Sequence, residues 1–99
     1  MKMSEMQKAA FANKIAKGFN TTDVGKEFLY IYGEVSEAYE AWHIGKGNLA
    51  DELADVAIYL LGLAEIVGVD LEKEIIKKME KNKKRTYYVQ DGVVTKTEG

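Results

Sequence analysis

Four carboxylates stand in two pairs in this chain, Glu34 with Glu37 in "GEVSE" and Glu52 with Asp55 in "DELAD", the members of each pair separated by two residues. On a helix that spacing puts both acids of a pair on one side, about one turn apart. Facing water, they are ordinary solubilising residues. Leaning toward a core they need a cation, because clustered carboxylates at low dielectric repel and raise one another's pKa values. Oxygen-only donors suit a hard ion, so Mg²⁺ is the expectation, with Mn²⁺ as the other candidate. The lack of cysteine and the single histidine argue against zinc.

A second constellation lies near the end of the chain. Leu71 and Ile75 begin a core-facing helical row, and continuing it by three and four residues reaches Lys78 and Asn82, with Arg85 on the same side further on. Polar and cationic groups thus occupy positions where an apolar stripe would continue. Beside a metal-carboxylate cluster, Lys78 and Arg85 suit phosphate oxygens, and Asn82 offers a donor and an acceptor to a base or sugar edge. Together these parts describe a metal-dependent phosphate-ester site.

Plainer explanations compete at several positions. A lone E-x-x-E on a helix is usually a solvated face, and it is the two pairs together with the cationic row that point to a site. Lys77, Lys81, Lys83 and Lys84 read as a charged last turn complementing the helix dipole. Tyr59, one turn after Asp55, suits packing as well as ligand contact, and Trp42 suits a core or dimer interface better than a base platform. Glu40-x-x-His43 has the spacing of a di-iron ligand pair, but such bundles need that motif on two helices, and here both residues read as surface. Symmetric dimerisation would supply a second copy, which keeps a di-iron bundle open as an alternative.

The elements that must position these residues are helices. Ser4 and Gln7 form a capping-box pattern ahead of an amphipathic run over about 4–17, closed by Gly18. Thr21 or Thr22 can cap a second helix over about 22–44, Asn48 a third over about 49–67, and Asp70 a fourth over about 71–84. In the tail, 86–99, two β-favouring runs flank Asp91-Gly92, the signal of a type I′ hairpin. On the third helix Leu49, Val56, Leu60, Leu63 and Val67 form the expected core stripe, with Leu53 at its edge and Glu52, Asp55 and Tyr59 at its margin. On the second helix the stripe is Val24, Ile31, Val35, Ala38 and Trp42, flanked by Glu34 and Glu37 with Tyr30 and Ala41.

Composition bounds the rest. Ninety-nine residues without proline make one all-α domain, 1–99, a four-helix bundle-like protomer whose small core favours assembly into a dimer or larger. A formal charge of −2 argues against nucleic acid as a partner. No apolar run suits a membrane span or a signal peptide, and the cysteine-free chain fits a reducing cytoplasm.

Glu34-x-x-Glu37 followed by Glu52-x-x-Asp55 resembles the signature of the MazG-like, all-α nucleoside triphosphate pyrophosphohydrolases. So do the surrounding "YGEVSEAYEAW", "DELADVAIYLL" and "KKMEKNKKR". The resemblance implies a helical bundle that forms dimers and often tetramers, and hydrolysis of an NTP or dNTP to the monophosphate and pyrophosphate with Mg²⁺. It implies Glu34, Glu37, Glu52 and Asp55 as metal ligands, Lys78 on phosphate, Asn82 near the nucleoside and Tyr59 in the pocket, with Phe19 and Trp42 as looser base-stacking candidates. The implied step is attack of water on the α-phosphorus. A carboxylate not fully engaged with metal would take its proton, and the choice here is Glu37, although nothing in the sequence separates it from Glu34. Two features depart from the family pattern: no proline follows Arg85, and Asn20 follows "GF" where an aromatic is frequent. The alternative is a non-catalytic helical dimerisation or protein-interaction module. It accounts for the stripes but not for acids and Lys78 interrupting them.

Overall fold

The computed structural model describes residues 1–96, and for 87–90 and 94–96 the backbone only. Four helices follow one another: α1 (Met3–Lys17), α2 (Val24–His43), α3 (Leu49–Ile66) and α4 (Leu71–Lys84). Asn48 and Asp70 cap α3 and α4, each accepting a backbone N–H three residues on at 3.2 Å. Asp23, rather than Thr21 or Thr22, caps α2, accepting from the Lys26 N–H at 3.1 Å. Gly18 ends α1 with φ of 72°, a conformation open to glycine without strain.

The Ser4–Gln7 capping box does not form. Lys2 is the N-terminal boundary residue of α1, with no side-chain cap, and Gln7 is buried. Its amide Nε2 donates to the Val69 carbonyl at 2.6 Å and to Glu65 at 3.0 Å, and its Oε1 accepts from the Leu71 N–H at 3.2 Å. One glutamine therefore stitches α1 to the turn between α3 and α4, satisfying groups at two helix ends.

The short connection 44–48 folds α3 back along α2, and the buried apolar residues Ala38 and Ala41 of α2 and Leu61, Leu63 and Ala64 of α3 lie in this hairpin. The small residues favour close approach of the two backbones. On α2 the inward row is Glu27, Ile31, Glu34, Ala38 and Ala41. The acid Glu34 thus lies on the packed row itself rather than beside it. Of the expected stripes, Ile31, Ala38, Leu49, Val56 and Leu63 turn inward, whereas Val35 and Trp42 are exposed, Trp42 to 66%, as are Leu60 and Val67 on α3.

Stepping one residue on from the packed rows of two antiparallel helices turns toward the same side of the pair. There Phe28, Tyr32, Val35, Tyr39 and Trp42 of α2 join Leu53 and Leu60 of α3 in an exposed apolar face. α1 packs on α3 through its Lys14 and Gln7, which meet Gly62 and Glu65 on the opposite side. α4 packs on α1 and does not complete a four-helix core around α2 and α3. After it, β1 (Tyr87–Gln90) and β2 (Val93–Lys96) pair antiparallel in the register Gln90↔Val93, with φ positive at both Asp91 and Gly92.

Candidate functional site

Because α2 and α3 run back along each other, the C-terminal half of one faces the N-terminal half of the other, and the two acid pairs meet. Carboxylate oxygens of Glu34, Glu37 and Glu52 all lie within 4.8 Å of one another. Asp51, Glu52 and Asp55 make a second group within the same limit, so Glu52 belongs to both. Glu34 Oε2 and Glu52 Oε2 are buried and accept no hydrogen bond. Burial raises the pKa of Glu34, and the charges of Glu37 and Asp55 push it further the same way. Glu52 is raised by burial too, then by Glu37, Asp55 and Asp51. Two buried acceptors without donors, in a ring of like charges, are what a hard divalent cation satisfies, and this all-oxygen donor set fits one.

Tyr59 comes next to this cluster. Its ring meets Tyr30 edge-on at 6.2 Å between centroids, and burial, followed by the charges of Glu34, Glu27 and Asp55, raises the pKa of its phenol. The hydroxyl therefore keeps its proton at neutral pH and is available as a hydrogen-bond donor. A cavity of about 290 Å³ lies beside Tyr59, between Asp55, Ile58, Phe19 and the α1 residues Ala10, Asn13 and Lys14. Phe19 thus borders the acids' neighbourhood. Trp42 does not: it is grouped with Tyr39 and His43 on the exposed surface. Glu40 and His43 belong to neither metal-capable acid group among the described residues.

The row Lys78, Asn82 and Arg85 is not brought to the acids within one chain. α4 lies against α1, and Arg85 Nη1 donates to Asn82 at 3.2 Å. Lys78, Asn82 and Arg85 were expected beside the acids with the choice between one chain and two left open, and within a single chain α4 packs on α1 rather than on the α2–α3 hairpin.

Three charged residues near the site were not anticipated. Asp51 precedes Glu52 and lies one turn before Asp55, a spacing that marks it as a neighbour of both. Glu27, fully buried at 0% exposure, stands two turns before Glu34 on the same row. Lys14 is buried against it and forms an ion pair with it. Nothing local distinguishes Lys14 from the exposed lysines of α1.

The model of the MazG-like family matches residues 26–98, from the start of α2 through all four acids and α4. The chain belongs to the MazG-like family. No curated protein and no solved structure matches it. The MazG-like match begins after α1 and the 18–23 segment, so Lys14 and Phe19 fall before it, while Glu27 and Tyr59 fall within it. Membership agrees with the helical architecture. Among the described residues no helix is long and apolar enough to cross a membrane.

Proposed function

We propose that this MazG-like protein is a Mg²⁺-dependent nucleoside triphosphate pyrophosphohydrolase, cleaving an NTP or dNTP of the cytoplasmic pool to the monophosphate and pyrophosphate. The observation that carries the reading is the pair of buried, unsatisfied oxygens of Glu34 and Glu52 facing across α2 and α3. Glu34, Glu37, Glu52 and Asp55 would hold Mg²⁺, or Mn²⁺ in its place. Bound there, the cation would neutralise charge on the phosphate oxygens and lower the pKa of water.

Glu37 takes the proton of the attacking water. It is the exposed member of its acid trio and borders both Glu34 and Glu52, so it reaches solvent while they are drawn inward. Tyr59 donates a hydrogen bond to the substrate, and Phe19 covers the cavity beside it. The exposed face of Phe28, Tyr32, Val35, Tyr39 and Trp42 supports assembly as a homodimer or homotetramer, since a chain this small rarely leaves such a surface in water. In that assembly Lys78, Asn82 and Arg85 reach the substrate phosphates and nucleoside from the α4 of a neighbouring copy.

The experiment is pyrophosphate release from a panel of NTPs and dNTPs with Mg²⁺, run beside Glu37→Gln and Asp55→Asn. The reading expects metal-dependent release that both substitutions abolish. Release that survives both substitutions, or no release from any nucleotide of the panel, would sink it. A purely structural helical module would then account better for the exposed apolar face.

A further inference from the structure

The Lys14–Glu27 pair has no part in the acid cluster. Its ammonium lies 5.3 Å from the centre of the Tyr59 ring and donates to the Asn20 carbonyl at 3.4 Å, on the α1 side of the hairpin. Buried pairs of this kind add little net stability, because desolvating both charges cancels most of their attraction. What they do fix is direction. Glu27 accepts from Asn20 Nδ2 at 3.0 Å while the same amide donates to the Asp23 carbonyl at 2.8 Å. Asn20 Oδ1 in turn accepts from the Asp23 N–H at 3.1 Å, and the Phe19 N–H donates to the Lys14 carbonyl at 2.9 Å. Segment 18–23 is thereby anchored to α1 and α2 at once, with Phe19 held at the edge of the cavity that also contains Asp55 and Tyr59.

We propose that Lys14, Glu27 and Asn20 form a positioning device that holds segment 18–23 and the Tyr59 ring as one wall of the nucleoside pocket, and so sets substrate affinity. This rests on the pyrophosphohydrolase reading. A triphosphate bound at the acids leaves its nucleoside a few ångströms away, and the cavity beside Asp55 is where it fits. None of the three belongs to the acid cluster: Lys14 borders the cavity itself, and Glu27 and Asn20 act through Lys14, Phe19 and Tyr59. Their loss weakens substrate binding more than it slows the chemical step.

The test uses the full chain with three variants: Lys14→Met, the apolar pair Lys14→Met/Glu27→Leu, and Asn20→Ala. Steady-state pyrophosphate release, thermal unfolding and amide exchange are measured on each. Lys14→Met alone strands a buried carboxylate and unfolds at lower temperature. The apolar pair recovers thermal stability, because hydrophobic replacement of a buried ion pair is commonly neutral or better. Its KM nevertheless stays raised by roughly tenfold with kcat within about threefold, and the Thr22 and Asp23 amides exchange faster. Asn20→Ala, which keeps the ion pair but cuts the tie to the segment, gives the same rise in KM and serves if the double variant does not fold. A KM that returns to the wild-type value along with stability, or that is unchanged in Asn20→Ala, overturns the proposal. If the wild type releases no pyrophosphate, the enzymatic reading fails on its own. The anchoring is then judged by exchange, and unchanged exchange across 18–23 in the variants rejects it.

Discussion

Glu34 on α2 and Glu52 on α3 face each other with one buried oxygen apiece that no donor satisfies, and each has its pKa raised by burial and by Glu37 and Asp55. Both groups hold a proton more tightly folded than unfolded. Between the ordinary carboxylate pKa and the raised values, the folded state therefore binds more protons, and stability falls as pH rises through that window. The metal-free protein is expected to melt at progressively lower temperature as pH climbs from the acidic side toward neutrality. Glu34→Gln flattens this slope, and Mg²⁺ at neutral pH reverses the loss by binding the ionised forms. Melting curves over pH, with and without Mg²⁺, check it; a metal-free protein that gains stability across the window would contradict the assignment.

Glu52 belongs to both acid groups, whereas Asp51 is exposed at the head of α3. Glu52→Gln is expected to weaken Mg²⁺ binding by at least about 100-fold, and Asp51→Asn by about tenfold or less, since a solvated carboxylate contributes chiefly long-range charge. Calorimetric titration with Mg²⁺ ranks the two. The reverse order would shift the cation toward the surface of α3.

Much of this architecture was legible in the sequence because its signals are local. Asn48, Asp70 and Gly18 mark helix ends by capping chemistry acting within a few residues, and the two acid pairs carry their own spacing. The apolar stripes placed Ile31, Ala38 and Leu63 correctly and misplaced Val35 and Trp42, for a physical reason. α2 and α3 each have two apolar rows, and the more hydrophobic one, with Val35 and Trp42, is left outward while the row interrupted by Glu27 and Glu34 packs inside. Periodicity registers apolarity and cannot tell a face buried within a chain from one available to a second copy. Lys14 and Gln7 were beyond reach for a different reason: their partners Glu27, Glu65 and Val69 come from other elements.

The outward row makes a direct claim about assembly. Val35→Glu places a charge in the middle of the Phe28–Trp42 face, where it would be desolvated and set against its own symmetry mate. The substitution is expected to convert the assembly to monomers at concentrations where the wild type is at least dimeric, while the helical content is retained. Sedimentation velocity reads the first and far-ultraviolet circular dichroism the second. A wild type that sediments as a monomer at high concentration would remove the role given to this face.

Placement of α4 on α1 leads to a complementation test for Lys78. If α4 serves the acids of a neighbouring copy, Glu37→Gln and Lys78→Ala proteins, each inactive alone, restore activity when mixed and allowed to exchange subunits. In a freely exchanging equimolar dimer, about a quarter of the sites receive both intact halves. Recovery near that fraction is expected. No recovery despite demonstrated exchange would place Lys78 with the acids of its own chain, by a movement of α4 away from α1.

Gly62 lies mid-helix against Lys14, and an added Cβ there would come within 2.8 Å of Lys14 Cε and 3.3 Å of Cδ. Alanine in a helix interior is ordinarily worth about 1 kcal/mol over glycine. Here the methyl group competes with a lysine stem that is pinned between Glu27 and Tyr59. Displacing the ammonium leaves the fully buried Glu27 without its counter-charge, a loss of about 3–5 kcal/mol when a buried pair is broken. The second effect is the larger, so Gly62→Ala is expected to destabilise the protein by about 2–4 kcal/mol, measured as a lower midpoint in urea with an unchanged slope. Combined with Lys14→Met/Glu27→Leu, which leaves no charge to strand, the same substitution should cost much less. A stabilising Gly62→Ala in the wild-type background would mean that the lysine stem yields freely and that the pair is not held as tightly as its burial implies.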